Sequence, residues 1–398
     1  MSKLPLEGIT VLELASVLAG PSVGQFLAEL GAEVIKIENR KTKGDVTRGW
    51  LSKNEDPEVG ISAYFASVNW GKRSVALDLS EKEGQSIIHQ LAASADIVLT
   101  SFKLGDDKKL GVDYQSLKRI NNKIIYGHIT GYGLKSKRAG YDAIIQAETG
   151  FMYMNGVPGG ESIKMPVALV DILAAHHLKE GILIALLRRM STKTGSYVHV
   201  SLFDAAVASL ANQGSNWLVA GQVPQKMGAE HPNIAPYGRY FRTKDGALIL
   251  LAIGSDKQFK TLCELIDEVD LAIDPRFLTN QSRVQNKDAL YPVLELAFDK
   301  LDSRKIAWLL EENSIPYGFI NDLSQVFETD LAKNMLLQAP GSSLLGVRNN
   351  AFDFDQSGIK PSLPEPPKYG EHSREILSEK LQMGSSEISD LFRKGIVE

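Results

Sequence analysis

Sulfur chemistry is almost missing from this chain: Cys263 is its single cysteine in 398 residues. No intrachain disulfide can form, and no cysteine-based zinc site can be assembled. The seven histidines fall into none of the spacings that metals favour, such as H-E-x-x-H. His176 and His177 are adjacent, so on a helix they point to different faces. A metal-free protein is expected. Positive charge is not in excess either. The formal net charge is -4, which excludes a general nucleic-acid binder, because phosphates demand a basic face. No run of about 18 apolar residues occurs, so no membrane span is expected. Met1–Gly8 carries one lysine with no apolar region behind it, unlike a secretory leader. The expected setting is the cytoplasm.

What is present is a chain able to bury a large interior. Hydrophobic residues make up 43% and charged residues 23%, ordinary for a globular protein, and the length favours two domains. Ile9–Leu14 reads as a short strand, Ala19-Gly20-Pro21 as a turn, Ser22–Leu30 as a helix and Val34–Ile37 as a second buried strand. That spacing is a βαβ unit and implies a parallel sheet. Ser74–Leu77, Ile97–Thr100 and Ile124–Ile129 continue the strands, with a helix over Glu83–Ser94. The expected fold class is α/β, a doubly wound, Rossmann-like parallel sheet. A long helical pattern runs from Asp171 to Met190, followed by a strand over Tyr197–Leu202 and a helix over Asp204–Leu210. After about residue 215 the texture turns loop-like. A hairpin over Tyr240–Ala252 and helical pieces to Asn313 then suggest a smaller α+β domain. The large domain is expected over 1–215, completed by 325–398, and the small one over 225–320, with linkers between. Pro361–Tyr369 reads as an extended strap and Ser385–Lys394 as a closing helix.

The first βα turn lacks the G-x-G-x-x-G of dinucleotide sites. Glu38, at the end of the second strand, could hold a ribose, but a lone acid there is a weak sign, and a nicotinamide cofactor is not indicated. Asp171 directly precedes the long helix and is expected at its N-cap. Capping is the commoner use of such an aspartate. The same place suits catalysis, since the helix dipole favours an ionised carboxylate and only an ionised carboxylate attacks a thioester carbonyl. Upstream, Tyr141 and Gln146 are able to donate to an oxyanion; their bland roles are a turn and the polar edge of a helix. Lys103, Lys108 and Lys109 cluster near Phe102, just past a strand end, where open α/β sheets bind ligands. Phosphate binding and adenine stacking are one reading; a solvated charge run, partly neutralised by Asp106 and Asp107, is the more frequent one.

Taken in order, these segments resemble the class III CoA-transferases of the CaiB/BaiF type, the family of formyl-CoA transferase and carnitine CoA-transferase. The resemblance is carried by Gly8–Leu14, Ala19-Gly20-Pro21, Leu30–Glu38, Gly44-Asp45-Val46-Thr47-Arg48 and Asn69–Ser74. Tyr141-Asp142, Gln146-Ala147, Asp171, Lys193-Thr194-Gly195 and Gly370-Glu371-His372 follow in family order. It implies that Asp171 is the nucleophile, with Tyr141, Asp142 and Gln146 around it. It also implies that coenzyme A, a co-substrate and not a resident cofactor, is lined by Val17, Leu18, Arg40, Leu77, Asp78, Ser101, Phe102, Lys103, Lys109, Ala139 and Gly140. Leu18 stands where formyl-CoA transferases carry glutamine, Asn39 where they carry arginine, and Ala139 where they carry lysine. Their glycine-rich shielding loop has no counterpart between Gly221 and Gly254. These departures disfavour formate and oxalate as substrates.

The expected reaction passes CoA from an acyl-CoA to a free carboxylic acid through an aspartyl anhydride and an aspartyl-CoA thioester. The small domain, with His231-Pro232 and Pro236-Tyr237 near its start, is expected to help choose the acid, a dicarboxylate such as succinate being one option. An α-methylacyl-CoA racemase and a non-catalytic acyl-CoA binder are the rivals. Racemases of this superfamily carry histidine where this chain has Tyr141, and an unperturbed tyrosine, with a pKa of about 10, is a poor proton shuttle at neutral pH. The family also implies an interlocked homodimer.

Overall fold

The computed structural model describes residues 4–352 and 362–398; Pro361 of the expected strap lies outside them. The chain forms two compact units. The larger takes in the chain up to Gly150, Met165–Gln222 and Asn334–Glu398, and the smaller Phe151–Lys164 and Val223–Lys333.

Short apolar runs supply the strands of the larger unit: β1 (Thr10–Glu13), β2 (Glu33–Asn39), β3 (Lys72–Leu77), β4 (Ile97–Thr100), β5 (Ile125–Thr130) and β6 (Ser196–Ser201). They form one six-stranded sheet in the order β3-β2-β1-β4-β5-β6, every pair parallel. Parallel strands need crossovers on the sheet faces. Helix α1 (Ala19–Glu29) follows β1, and α2 (Lys82–Ser94) follows β3. Helices α3 (Asp142–Glu148) and α4 (Leu169–Thr192) lie between β5 and β6, and α5 (Leu202–Ala208) follows β6. Strand order reverses between β1 and β4, which makes the carboxyl ends of these two strands the natural ligand crevice.

Helix α1 begins at Ala19, three residues before its expected start, and is buried along its whole length. Pro21 is no obstacle, because first-turn N–H groups have no partner within the helix. Gly20 and Gly24 let it lie close to the strand. A Cβ at Gly20 would fall 2.3 Å from the Ala15 Cβ, and one at Gly24 would fall 1.8 Å from the Glu13 carboxylate. On one side of the sheet Leu12, Ile35, Val75, Val98 and Tyr126 pack with Ile87, Ile88 and Leu91 of α2 and with Ile376, Leu377, Ile388 and Leu391 near the C-terminus. Leu363–Lys368 run without regular structure, as expected of the strap, and the Pro364 carbonyl accepts from the Gly71 N–H at 3.0 Å.

The smaller unit holds an antiparallel sheet of β7 (Tyr237–Arg242), β8 (Leu248–Ala252) and β9 (Tyr317–Phe319). Phe241, Ile249 and Leu251 pack there against Phe259, Leu262, Phe298 and Leu310. Arg283 is fully buried beside them, donating to the Ala235 and Phe277 carbonyls and to Asp256. No helix among the described residues is long and apolar enough to cross a membrane.

Candidate active site

Two hollows open where the carboxyl ends of the central strands meet. One, about 290 Å³, is lined by residues following β1 (Ser16–Gly20), residues following β4 (Ser101–Leu104), the Ser136–Asp142 segment and Asp171. The other, about 440 Å³, is lined by the ends of β2 and β3, including Glu38, Asn39, Leu77, Asp78 and Ser80. Ser16 and Phe102 border both. The Phe102 carbonyl accepts from His128 Nε2 at 3.0 Å.

Asp171 is not the N-cap of α4; Ala168 holds that position without a side-chain bond, and Asp171 sits in the first turn. The cap is supplied from elsewhere. Asp142, in the first turn of α3, accepts from the Val170 N–H at 2.8 Å through Oδ1. Its Oδ2 accepts from Gln146 Nε2 at 2.7 Å, and Gln146 Oε1 accepts from the Met165 N–H at 2.9 Å. The Asp142 carboxylate thus does for α4 what a capping side chain does, and Asp171 is spared that duty.

Burial, and then the negative charge of Asp142, push the Asp171 carboxyl up to about 7. The direction is opposite to the one expected from the helix dipole: desolvation and a like charge outweigh the dipole. An aspartate only 9% exposed and poised between its two protonation states near neutral pH is suited to nucleophilic chemistry.

Of the residues expected at the site, Val17, Leu18, Ser101, Phe102, Lys103, Ala139, Gly140, Tyr141 and Asp142 line the hollow that holds Asp171. Leu77 and Asp78 line the neighbouring one. Gln146 lines neither and acts through its bonds to Asp142 and Met165. Arg40 lies outside both hollows, drawn to Glu398 at 3.7 Å. Lys109 also lies outside them, on the surface, paired with Asp106 at 2.9 Å. The lysine cluster is therefore split, with Lys103 alone facing the Asp171 hollow. Arg138 lines the hollow too, but it is paired with Glu148 and lies over the Tyr132 ring. Glu38 is committed to protein partners: it accepts from Arg48, Ser74 and the Asp45 N–H.

Two features escape local sequence reading. Burial raises the Tyr64 phenol, and the charges of Asp171, Asp142 and Asp45 raise it further; the ring packs edge-on against Trp50 at 4.9 Å. Tyr64 lines neither hollow, and nothing in the Ala63–Ala66 segment marks it as lying in the field of these carboxylates. The second is a pinch between Gly131 and Gly140. A methyl group at Gly131 would fall 2.5 Å from the Gly140 Cα, and one at Gly140 would fall 2.3 Å from the Gly131 Cα. Among the described residues no group of three or more His, Cys, Asp or Glu side chains gathers as a metal site would.

Residues 6–373 match the model of CoA-transferase family III. The chain is 38% identical over 388 residues to the succinate–glutarate CoA-transferase of Agrobacterium fabrum, covering 95% of this chain and 96% of that one. It is 34% identical to the succinyl-CoA:glutarate CoA-transferase of Homo sapiens, covering 99% and 90% respectively. The crystal structure of a CaiB/BaiF family protein from Brucella suis superposes with a TM-score of 0.83 at 38% identity, covering 95% of this chain and all of that one. The chain belongs to CoA-transferase family III and is an enzyme of that class.

Proposed function

We propose that Asp171 is the nucleophile of a CoA transfer between an acyl-CoA and a dicarboxylic acid of four or five carbons. The observation that carries the reading is the buried Asp171 carboxylate in a hollow at the switch point of the sheet, with its capping duty taken by Asp142. The dicarboxylate rests on the relatives named for succinate and glutarate.

The ionised Asp171 oxygen attacks the thioester carbonyl carbon, the C–S bond breaks, and CoA leaves as thiolate from a mixed anhydride. The thiolate attacks the Asp171 carbonyl carbon and expels the donor acid as carboxylate. An aspartyl-CoA thioester is left. The acceptor carboxylate then displaces the thiolate from Asp171, and the thiolate attacks the acceptor acyl carbon of the new anhydride. Acyl-CoA leaves and the free carboxylate returns. Electron pairs balance, and no proton is consumed overall. Covalent capture divides one difficult exchange into easier steps, and a site shielded from water protects the anhydride. Tyr141, at the hollow's edge, and backbone N–H groups supply oxyanion donors in this reading.

The test is chemical trapping. Enzyme incubated with succinyl-CoA and quenched with hydroxylamine should carry a hydroxamate on Asp171, read by peptide mass spectrometry; an unmodified Asp171 in actively transferring enzyme overturns the reading. Succinyl-CoA offered to a panel of acids should prefer glutarate over formate and oxalate. A 2-methylacyl-CoA kept with the enzyme in heavy water should gain no α-deuterium, which separates the transferase from a racemase.

We further infer an interlocked homodimer. Ile184, Leu187 and Met190 stand exposed along α4, as do Trp217, Leu218 and Val219 on the helix Ala211–Ala220, and exposed apolar surface of this kind calls for a partner. Light scattering at the mass of two chains is the expected result.

A further inference from the structure

The turn Ala15–Leu18 joins β1 to α1 and borders both hollows, with Val17 and Leu18 lining the one that holds Asp171. Val17 has a φ of +73°. For a β-branched residue this is left-handed backbone at a steric cost, which persists only where surroundings over-determine it.

The surroundings here are an ionic interior. Lys36, on β2, is 1% exposed. Its ammonium donates to the Ala15 carbonyl at 3.0 Å and to Glu13 at 3.0 Å, and it lies 3.0 Å from Asp45. Asp45 in turn accepts from the Val17 N–H, with oxygens at 3.2 and 3.3 Å. One buried cation therefore grips both ends of the turn, the Ala15 carbonyl directly and the Val17 N–H through Asp45. Between them the Ser16 N–H donates to Ser101 Oγ at 3.2 Å. Beyond them Lys72, itself held by Glu13 at 2.7 Å, donates to the Pro21 carbonyl in the first turn of α1 at 2.9 Å. Three consecutive residues of the turn are each tied to a different fixed group.

We infer that Lys36 and Asp45, which also border the neighbouring hollow, are positioning residues: they hold the strained Ser16–Val17–Leu18 backbone in place against the Asp171 hollow and so set the turnover rate through that backbone. The inference rests on the proposal that transfer takes place in that hollow. Because Lys36 and Asp45 also border the neighbouring hollow, the mark of the positioning role is rescue at Val17, which a lost substrate contact would not give.

Asp45→Asn keeps the shape of the side chain but loses the charge that binds it to Lys36. The expected result is a fall in kcat of about 30-fold or more, the scale of a misplaced reacting group. Adding Val17→Gly to that variant should recover at least about tenfold in kcat, since glycine adopts positive φ without a steric penalty. A purely structural role for Asp45 gives no such rescue. Undiminished kcat in Asp45→Asn, or a double variant no faster than the single, overturns the inference. If Asp45→Asn fails to fold, Ser101→Ala loosens the same turn at Ser16: kcat should fall by about threefold or more and recover with Val17→Gly, and an unchanged kcat counts against the inference. Wild-type enzyme that transfers CoA and labels at Asp171 while these variants match it sinks this inference alone. Wild-type enzyme that transfers CoA without ever labelling Asp171 sinks the nucleophile reading instead.

Discussion

Two aspartates of the larger unit, Asp171 and Asp45, are both buried, and the protein treats them in opposite ways. Asp45 lies beside Lys36 and accepts from Thr47 and Val17. Burial works against its charge, yet the Lys36 ammonium and the Thr47 bonds more than offset that, and its carboxyl is held below the ordinary value. Asp171 meets burial and the charge of Asp142, and is pushed up to about 7. The same side chain is thus a fixed anchor in one place and a poorly solvated group without a counter-ion in the other. A strong counter-ion at Asp171 would keep it ionised but would also draw its lone pairs away from an electrophile. The site keeps the carboxylate poorly solvated, at a cost in stability that is common where function demands it.

The contrast can be broken most severely at Asp171 itself. Asp171→Ala should lower CoA transfer by about 10⁴-fold or more, while a binding titration still detects coenzyme A. Next in size is Lys36→Met, which leaves Asp45 buried without its cation. Removing one partner of such a pair costs about 3–5 kcal/mol, visible as a lower midpoint in urea unfolding. Asp171→Asn should have the opposite effect on stability. The folded carboxyl titrates near 7 and the unfolded one near 3.9, so between these values the native state keeps a proton that the unfolded chain has lost. The contribution of Asp171 to stability therefore declines as pH rises from about 4 to 7 and levels off above. The asparagine variant, which has no charge to bury, should be more stable by about 2–4 kcal/mol at pH 8 and level with wild type near pH 4. Thermal melts across that range decide it.

The smallest expected effect sharpens the cause. In the wild type, kcat/KM should climb through an apparent pKa near 7 as Asp171 ionises. Asp142→Asn removes the like charge, and the break in the profile should move down by roughly one pH unit. A break that stays in place would assign the whole displacement to burial.

Much of the fold was legible in the chain because parallel strands covered on both faces are nearly continuous apolar runs. Val34–Ile37 and Ile97–Thr100 emerge as strands within a residue or two of where they were expected. Lys36 shows the limit of that reading. A lysine inside such a run has no solvent face to reach, so its partner has to be buried as well. Glu13, on a flanking strand, and Asp45, eight residues past Ile37, are matched to it only once the sheet order is known. Family resemblance pointed to Asp171, but local pattern misplaced it as the cap, because the true capping carboxylate comes from Asp142, 28 residues upstream of Val170. Long-range substitution of that kind leaves no periodic trace. Arg40 and Lys109 illustrate the reverse: their motif positions do not reveal that they lie outside the two hollows, beside Glu398 and Asp106.

The glycine pinch at Gly131 and Gly140 has a practical meaning for anyone redesigning this protein. The intervening segment 132–139 is tied off at its base by backbone against backbone, so the part of it beyond Gly133 is set apart from the sheet beneath. A graft of new residues between the two glycines would change the rim without moving the floor, whereas alanine at either glycine would prise the two passes of chain apart and spoil both together.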